Sequence, residues 1–177
     1  MGVRGRTPRV SIDPAAKAVI GSTPRVLRML LEGLPWTLVE APNPEGWSLK
    51  DIVAHLHDAE SIAFVERIQR MLHENRPFIR SIDPPARLAS GGYAERGLAE
   101  LLDDLDRQRA EHLSWLEALT EDQLARAGEH DTVGEIRVID IAHQWAAHDM
   151  AHLRQIAHMI QAHLARLMGN TRGFYDV

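Results

Sequence analysis

The chain has 177 residues, 45% hydrophobic and 25% charged, with a formal net charge of −5 and no cysteine. That length suits one compact domain whose core needs no disulfide or structural metal, so a bound metal would serve function rather than rescue the fold. Disulfides, thiolate zinc sites and cysteine nucleophiles are excluded, the acidic balance counts against general nucleic-acid binding, and no apolar run approaches the roughly 20 residues of a membrane span.

Residues 1–13 read as a flexible tail. Met1 to Arg9 carries Arg4, Arg6 and Arg9 with no apolar run behind them, so no secretory signal is expected and the cytoplasm is the default location. Residues 14–177 read as a single domain. A first helical segment runs from about Pro14 to Leu34, with Val19, Val26, Leu27, Leu30 and Leu31 at helical spacing. Gly21 and Pro24 stand where they would interrupt its first turns, and Gly33-Leu34-Pro35 ends it. The second segment opens at Trp47-Ser48, where Ser48 and Asp51 form a capping-box pattern with Asp in place of Glu, and runs to about Glu74. Pro77 to Gly92 is rich in turn signals and reads as a long loop, of the kind that forms a lid or a pocket rim.

Leucines at 98, 101, 102, 105, 113, 116 and 119 define a third helix within Tyr93 to Leu119. Thr120 to Val133 is a connection with a short helical turn of its own. The fourth segment runs from about Gly134 to Met168 and stops at Gly169-Asn170. Sustained period-two alternation is absent, apart from an ambiguous few residues near Ile136 to Ile139. Four long helices without a convincing strand predict an all-α four-helix bundle.

Ten histidines must be sorted by face. Stepping about 100° per residue, Ile141, Trp145, His148, His152, Ile156, Met159 and His163 fall within an arc of roughly 80°, the expected buried stripe of the fourth helix. His148 and His152 stand one turn apart on it, whereas His143 and His158 point elsewhere and are expected to face solvent. On the second helix Ile52, His55, Ala59 and Ile62 share a similar arc, and His57 points almost the opposite way. One histidine from helix two and two from helix four therefore face the interior. A divalent ion would satisfy ring nitrogens that are costly to bury unpaired and would leave a position for water or substrate. Spacing alone leaves a second reading open, in which the three are core histidines bonded to carbonyls or carboxylates.

Trp47-Ser48 opening a helix, then His55-Leu56, then the string His148-Asp149-x-x-His152-x-x-Gln155-Ile156, resembles the DinB-like superfamily across nearly the whole chain. The resemblance implies a four-helix bundle, often a homodimer, with a metal held by three histidines, here His55, His148 and His152. It also implies a metal-dependent enzyme acting on a small molecule: a thiol-dependent S-transferase using a low-molecular-weight thiol such as mycothiol or bacillithiol, a related isomerase, or a hydrolase. The alternative is a non-catalytic, stress-associated metal-binding dimer. Zinc or nickel is the expected ion, with manganese and iron(II) open, since ligand type does not settle identity.

Around the trio, Asp149 is a candidate to orient a ligand ring or to pair with an arginine, and Asp51 is expected to cap its helix. Glu66 projects within about 20° of His55 on an ideal helix and is expected to line the pocket. Trp47 and Trp145 are expected to pack. No general base is assigned: His57 and His73 look exposed.

Overall fold

Capping side chains fix where the helices begin. In the computed structural model, which describes residues 10–175, Asp13 accepts from the Ala15 N–H ahead of α1 (Pro14–Leu31). A single turn, α2 (Trp36–Val39), precedes α3 (Leu49–Ala59), which opens on the Ser48/Asp51 capping box that the spacing predicts. The helix does not stop at Ala59. It passes through a π-helical stretch, Glu60–Val65, into α4 (Glu66–His73), and the Gln108 side chain donates to the His57 carbonyl at the entry to these widened turns.

Two expected loops hold secondary structure. The Pro77 to Gly92 segment contains β1 (Phe78–Ile79) and α5 (Pro84–Ser90), the latter capped by Asp83. After α6 (Leu98–Glu117) and the short α7 (Glu121–Leu124) come β2 (Ala127–His130) and β3 (Gly134–Arg137), and β3 leads directly into α8 (Val138–Ala165). β1 pairs parallel with β2, and β2 antiparallel with β3. The expectation of no convincing strand is corrected by this small sheet. Its strands of two to four residues are too short to display alternation, and β1 finds its partner about fifty positions away. Gly134, at φ +77°, closes the β2–β3 hairpin. A Cβ at Gly128 would stand 2.9 Å from the Pro77 carbonyl, so glycine lets β2 lie against the start of β1.

The four long helical rods form the expected bundle. α1 packs between α6 and α8, and α3 packs between the same two from the opposite side. No described helix is long and apolar enough to cross a membrane. Of the expected tail, residues 1–9 lie outside the described residues; Ile12 is buried and Val10 packs against the core, so packing begins ahead of Pro14.

The core is divided. One apolar cluster gathers Ile20, Phe64, Ile68, Leu116, Ile141 and Trp145; the other gathers Leu27, Leu49, Ile52, Leu101, Leu105 and Ile156. On every rod the sequence between the two clusters carries polar residues: Thr23 on α1, His55 and Glu60 on the α3–α4 rod, Arg109 on α6, and His148, Asp149 and His152 on α8. A polar layer thus crosses the middle of the bundle.

Pro24 explains part of that layer. The helix continues through it, contrary to the expected interruption, but proline has no N–H to give the carbonyl four residues back. That carbonyl, Ile20 O, accepts instead from Arg109 Nη1 at 2.7 Å.

Candidate metal centre

His55 reaches the polar layer from α3, and His148 and His152 from successive turns of α8. One ring nitrogen from each lies within 4.8 Å of the other two. His55 Nε2 and His148 Nε2 are 3.0 Å apart, and the ring centroids stand 4.5 to 5.0 Å from one another. Two nitrogens bound to one zinc at about 2.0–2.1 Å would be separated by about 2.9–3.4 Å, so the observed pair fits a shared ion. A single proton between His55 and His148 would leave the third ring unserved. His148 Nδ1, the ring nitrogen that does not meet His55, is buried without a hydrogen-bond partner and would not be served by that ion. The donor set is three neutral imidazoles, which suits a divalent transition metal.

Neutrality follows from the surroundings. Burial, then the charge of neighbouring rings, lowers the pKa of His55 to about 4 and that of His148 to about 3, and burial lowers that of His152 as well. Phe64 sets its edge against His148 and Trp47 packs edge-on to His55, holding both rings in place. Trp145 is fully buried and stacks on Phe64, a packing role as expected. Gln155, for which the sequence suggests no role, sits one turn past His152, and its Oε1 is 2.9 Å from His152 Nδ1. An amide oxygen there keeps the proton on Nδ1 and leaves Nε2 free as a donor.

Asp149 is fully buried and its carboxylate meets Arg109, at 2.5 Å to Nη1, rather than a histidine ring. Glu66 is exposed and borders an outer groove with Arg67 and Arg70. An ideal helix would align it with His55, but the π-helical stretch inserts extra residues per turn and rotates everything beyond it. Asp51 caps α3 as expected. His158 is exposed, and His143 Nε2 accepts from the Asp13 N–H.

Sequence reasoning named Asp149 as a candidate arginine partner but missed the roles of Arg109 and Glu60, which brace the site with it. Arg109 is 2% exposed and bridges Glu60 and Asp149, both at 0%. Glu60 also meets His112 Nδ1 at 2.9 Å. Burial pushes the Asp149 carboxyl up to about 6 against the pull of Arg109, so it is ionised at neutral pH. A second cluster joins α5 to α3: Arg87 forks onto Asp58, which also accepts from the Tyr93 hydroxyl. These bonds hold Asp58 below its usual pKa even though burial pushes it up, and burial beside Asp58 raises Tyr93 to about 12.

The trio is approached from two sides. His55 and His148 line a cavity of about 250 Å³ whose far wall is Ser81, Ile82 and Pro84, so the Pro77 to Gly92 segment forms its rim. His152 and Gln155 line a wider groove of about 930 Å³, with Trp47 and the Pro42 to Glu45 loop opposite.

A family model described as the DinB superfamily matches residues 20–156. Among solved structures, the chain is similar to YfiT from Bacillus subtilis, described as a probable metal-dependent hydrolase with an unusual four-helix bundle topology. The TM-score is 0.76 at 24% identity, over 93% of this chain and 94% of that one. No curated protein matches it in sequence.

Proposed function

This chain belongs to the DinB superfamily, and we propose that it is a divalent-metal-dependent enzyme that joins a low-molecular-weight thiol, through its sulfur, to a small electrophilic acceptor. The observation that carries this reading is the convergence of His55, His148 and His152 between two separate openings. One opening would admit the thiol and the other its acceptor. The chain has no cysteine of its own, so a thiol nucleophile must come from a second small molecule. A bound zinc or nickel ion would supply Lewis acidity, lowering the pKa of a coordinated thiol or water toward neutrality.

The chain's own residues would do the rest. His55, His148 and His152, all uncharged, leave the ion its full positive charge. Gln155 presents the Nε2 of His152, while Phe64 and Trp47 brace the other two rings and exclude water. The carboxylates around the site are engaged: Asp58 by Arg87, Glu60 and Asp149 by Arg109. The thiol's proton would therefore pass to solvent through the openings, and the acceptor's leaving group would depart the same way as its carbon bonds to the sulfur.

With water in place of the thiol the same centre would be a hydrolase, as described for the Bacillus subtilis protein. Turnover of an electrophilic substrate that requires added thiol separates the two. A cytoplasmic homodimer completes the reading, and exposed Leu164, Leu167 and Phe174 offer apolar surface for it.

Metal content by mass spectrometry tests the centre. Untagged protein reconstituted with zinc or nickel should hold about one equivalent, and His152→Ala should lose it. Failure to retain zinc, nickel, manganese or iron(II) would sink the metalloenzyme reading. Gln155→Leu should keep the fold and weaken metal affinity by about 10–100-fold, read by competition with a chelating dye. Unchanged affinity would remove the role assigned to Gln155.

A further inference from the structure

Arg67 is an arginine without an anionic partner in a place where one is expected. It follows the π-helical stretch on α4, is only 9% exposed, and borders the cavity that contains His55 and His148. Its described hydrogen bond is a single one, from Nη2 to the Arg80 carbonyl at 2.8 Å. A guanidinium carries five N–H donors, and a buried charge is costly unless paired. No described carboxylate lies within ion-pair distance of it, in contrast to Arg109, which has two.

Of the acids near Arg67, Glu66 is felt electrostatically but is exposed on the outer groove and outside ion-pair distance; the other two are committed elsewhere. Asp58, on the same cavity wall, is taken by Arg87 and Tyr93. Asp131 lies close enough to be felt electrostatically by Arg67. Its two oxygens, however, accept from the Ser81 N–H, the Ser81 hydroxyl and the Thr132 hydroxyl, and these bonds hold it down to about 2. They also tie the rim to the β2–β3 hairpin. The rim is thereby fixed against Arg67 through Arg80, next in sequence to Ser81.

We propose that Arg67 is the anchor for a carboxylate, or a comparable small anion, borne by the substrate that enters the 250 Å³ cavity. An arginine presents a planar fork that matches a carboxylate with two parallel hydrogen bonds. The apolar side chains of Ile62, Phe64 and Ile82 on the cavity wall suit a short apolar chain between the anion and the reacting end. The acceptor is then an anionic small molecule held at one end by Arg67, with its other end toward His55 and His148. This names the substrate class of the site proposed above and rests on that cavity, but the anion pairing does not require the metal.

Calorimetry with butyrate and its neutral isostere butyramide tests the assignment, on the full chain both zinc-loaded and chelator-stripped. Stripped protein removes any carboxylate binding by the ion itself. Butyrate should bind both forms, at least tenfold more weakly in Arg67→Gln, with Arg67→Lys intermediate. Butyramide should bind wild type and Arg67→Gln alike.

Modification of the wild-type protein by phenylglyoxal, read by peptide mass, needs no variant to fold. Arg67 should react in buffer and be spared by butyrate but not by butyramide. Butyrate affinity unchanged by Arg67→Gln, no butyrate binding by stripped wild type, or reaction of Arg67 unaffected by butyrate would each overturn the proposal. Metal retention in the same samples reports separately on the three-histidine centre.

Discussion

Replacing Arg109 with methionine is expected to destabilise the protein by about 3–5 kcal/mol, read as a fall in the urea unfolding midpoint. The size follows from what the guanidinium holds. It donates to Glu60 at 2.8 Å, Asp149 at 2.5 Å and the Ile20 carbonyl at 2.7 Å, and it lies over the Trp145 ring. Methionine would fill much of the volume, yet two fully buried carboxylates would lose their charged partner and one carbonyl its donor. Half-buried His112 offers partial relief to Glu60, and the Thr23 hydroxyl to Asp149.

Protonation should ease the damage. The pKa of Asp149 is already pushed up by burial, and without Arg109 it would rise further. The penalty of Arg109→Met should therefore shrink as pH falls from 7 to 5. A loss below about 1 kcal/mol at pH 7, typical of exposed ion pairs, would show that the network does not secure the bundle.

The same residue ties the fold to the site. Ile20 is on α1, Glu60 on the rod that carries His55, Arg109 on α6, and Asp149 on α8 beside His148. One guanidinium touches all four long rods, at the level where the histidines meet. Any variant that loosens it should also degrade metal affinity in the molecules that remain folded. A centre with ligands on two helices depends on the register between those helices.

The histidines were legible as candidates because two separate apolar stripes each carried them at interior positions, but spacing left a core role open and the resemblance to the DinB-like superfamily was what singled out the trio. Three convergent histidines are hard to explain as isolated core residues. Glu66 was misplaced by the same projection, for a physical reason: ideal helical stepping holds from Leu49 to Ala59 and fails across Glu60–Val65. Arg109 left a readable trace. It occupies a core position in the series Leu98, Leu102, Leu105, Arg109, His112, Leu116, where the pattern calls for an apolar residue. Its pairing with Glu60 and Asp149 could not be read because it joins three different helices, and the Ile20 carbonyl is an acceptor freed by Pro24. The sheet was hidden by the shortness of its strands and by the nonlocal pairing of β1 with β2. Gln155 was visible in the motif, but its role depends on which ring nitrogen of His152 faces the centre.

The metal-free protein is expected to lose stability steeply as pH falls from 7 to 4. The folded pKa values of His55 and His148, about 4 and about 3, lie below the ordinary histidine value of 6.5. Between those limits the unfolded chain takes up protons that the folded chain refuses, so stability rises with pH. The contribution is complete above about pH 6.5 and is lost as pH falls through the folded values. His152 is displaced in the same direction. Asp149 opposes them: its folded pKa of about 6 lies above the carboxylate value of 3.8, so acid favours its folded form across that interval. Each pH unit of displacement is worth about 1.4 kcal/mol, and the two histidine displacements together exceed that of Asp149. The net loss should amount to several kcal/mol. Urea midpoints measured at half-unit steps should show this slope in the wild type and a flatter one in His148→Gln. Equal slopes in the two proteins would mean that the imidazoles are not the groups refusing protons. Added zinc should raise the midpoint at pH 7 according to its concentration over Kd. That gain should vanish as pH falls, because protons and metal compete for the same three nitrogens.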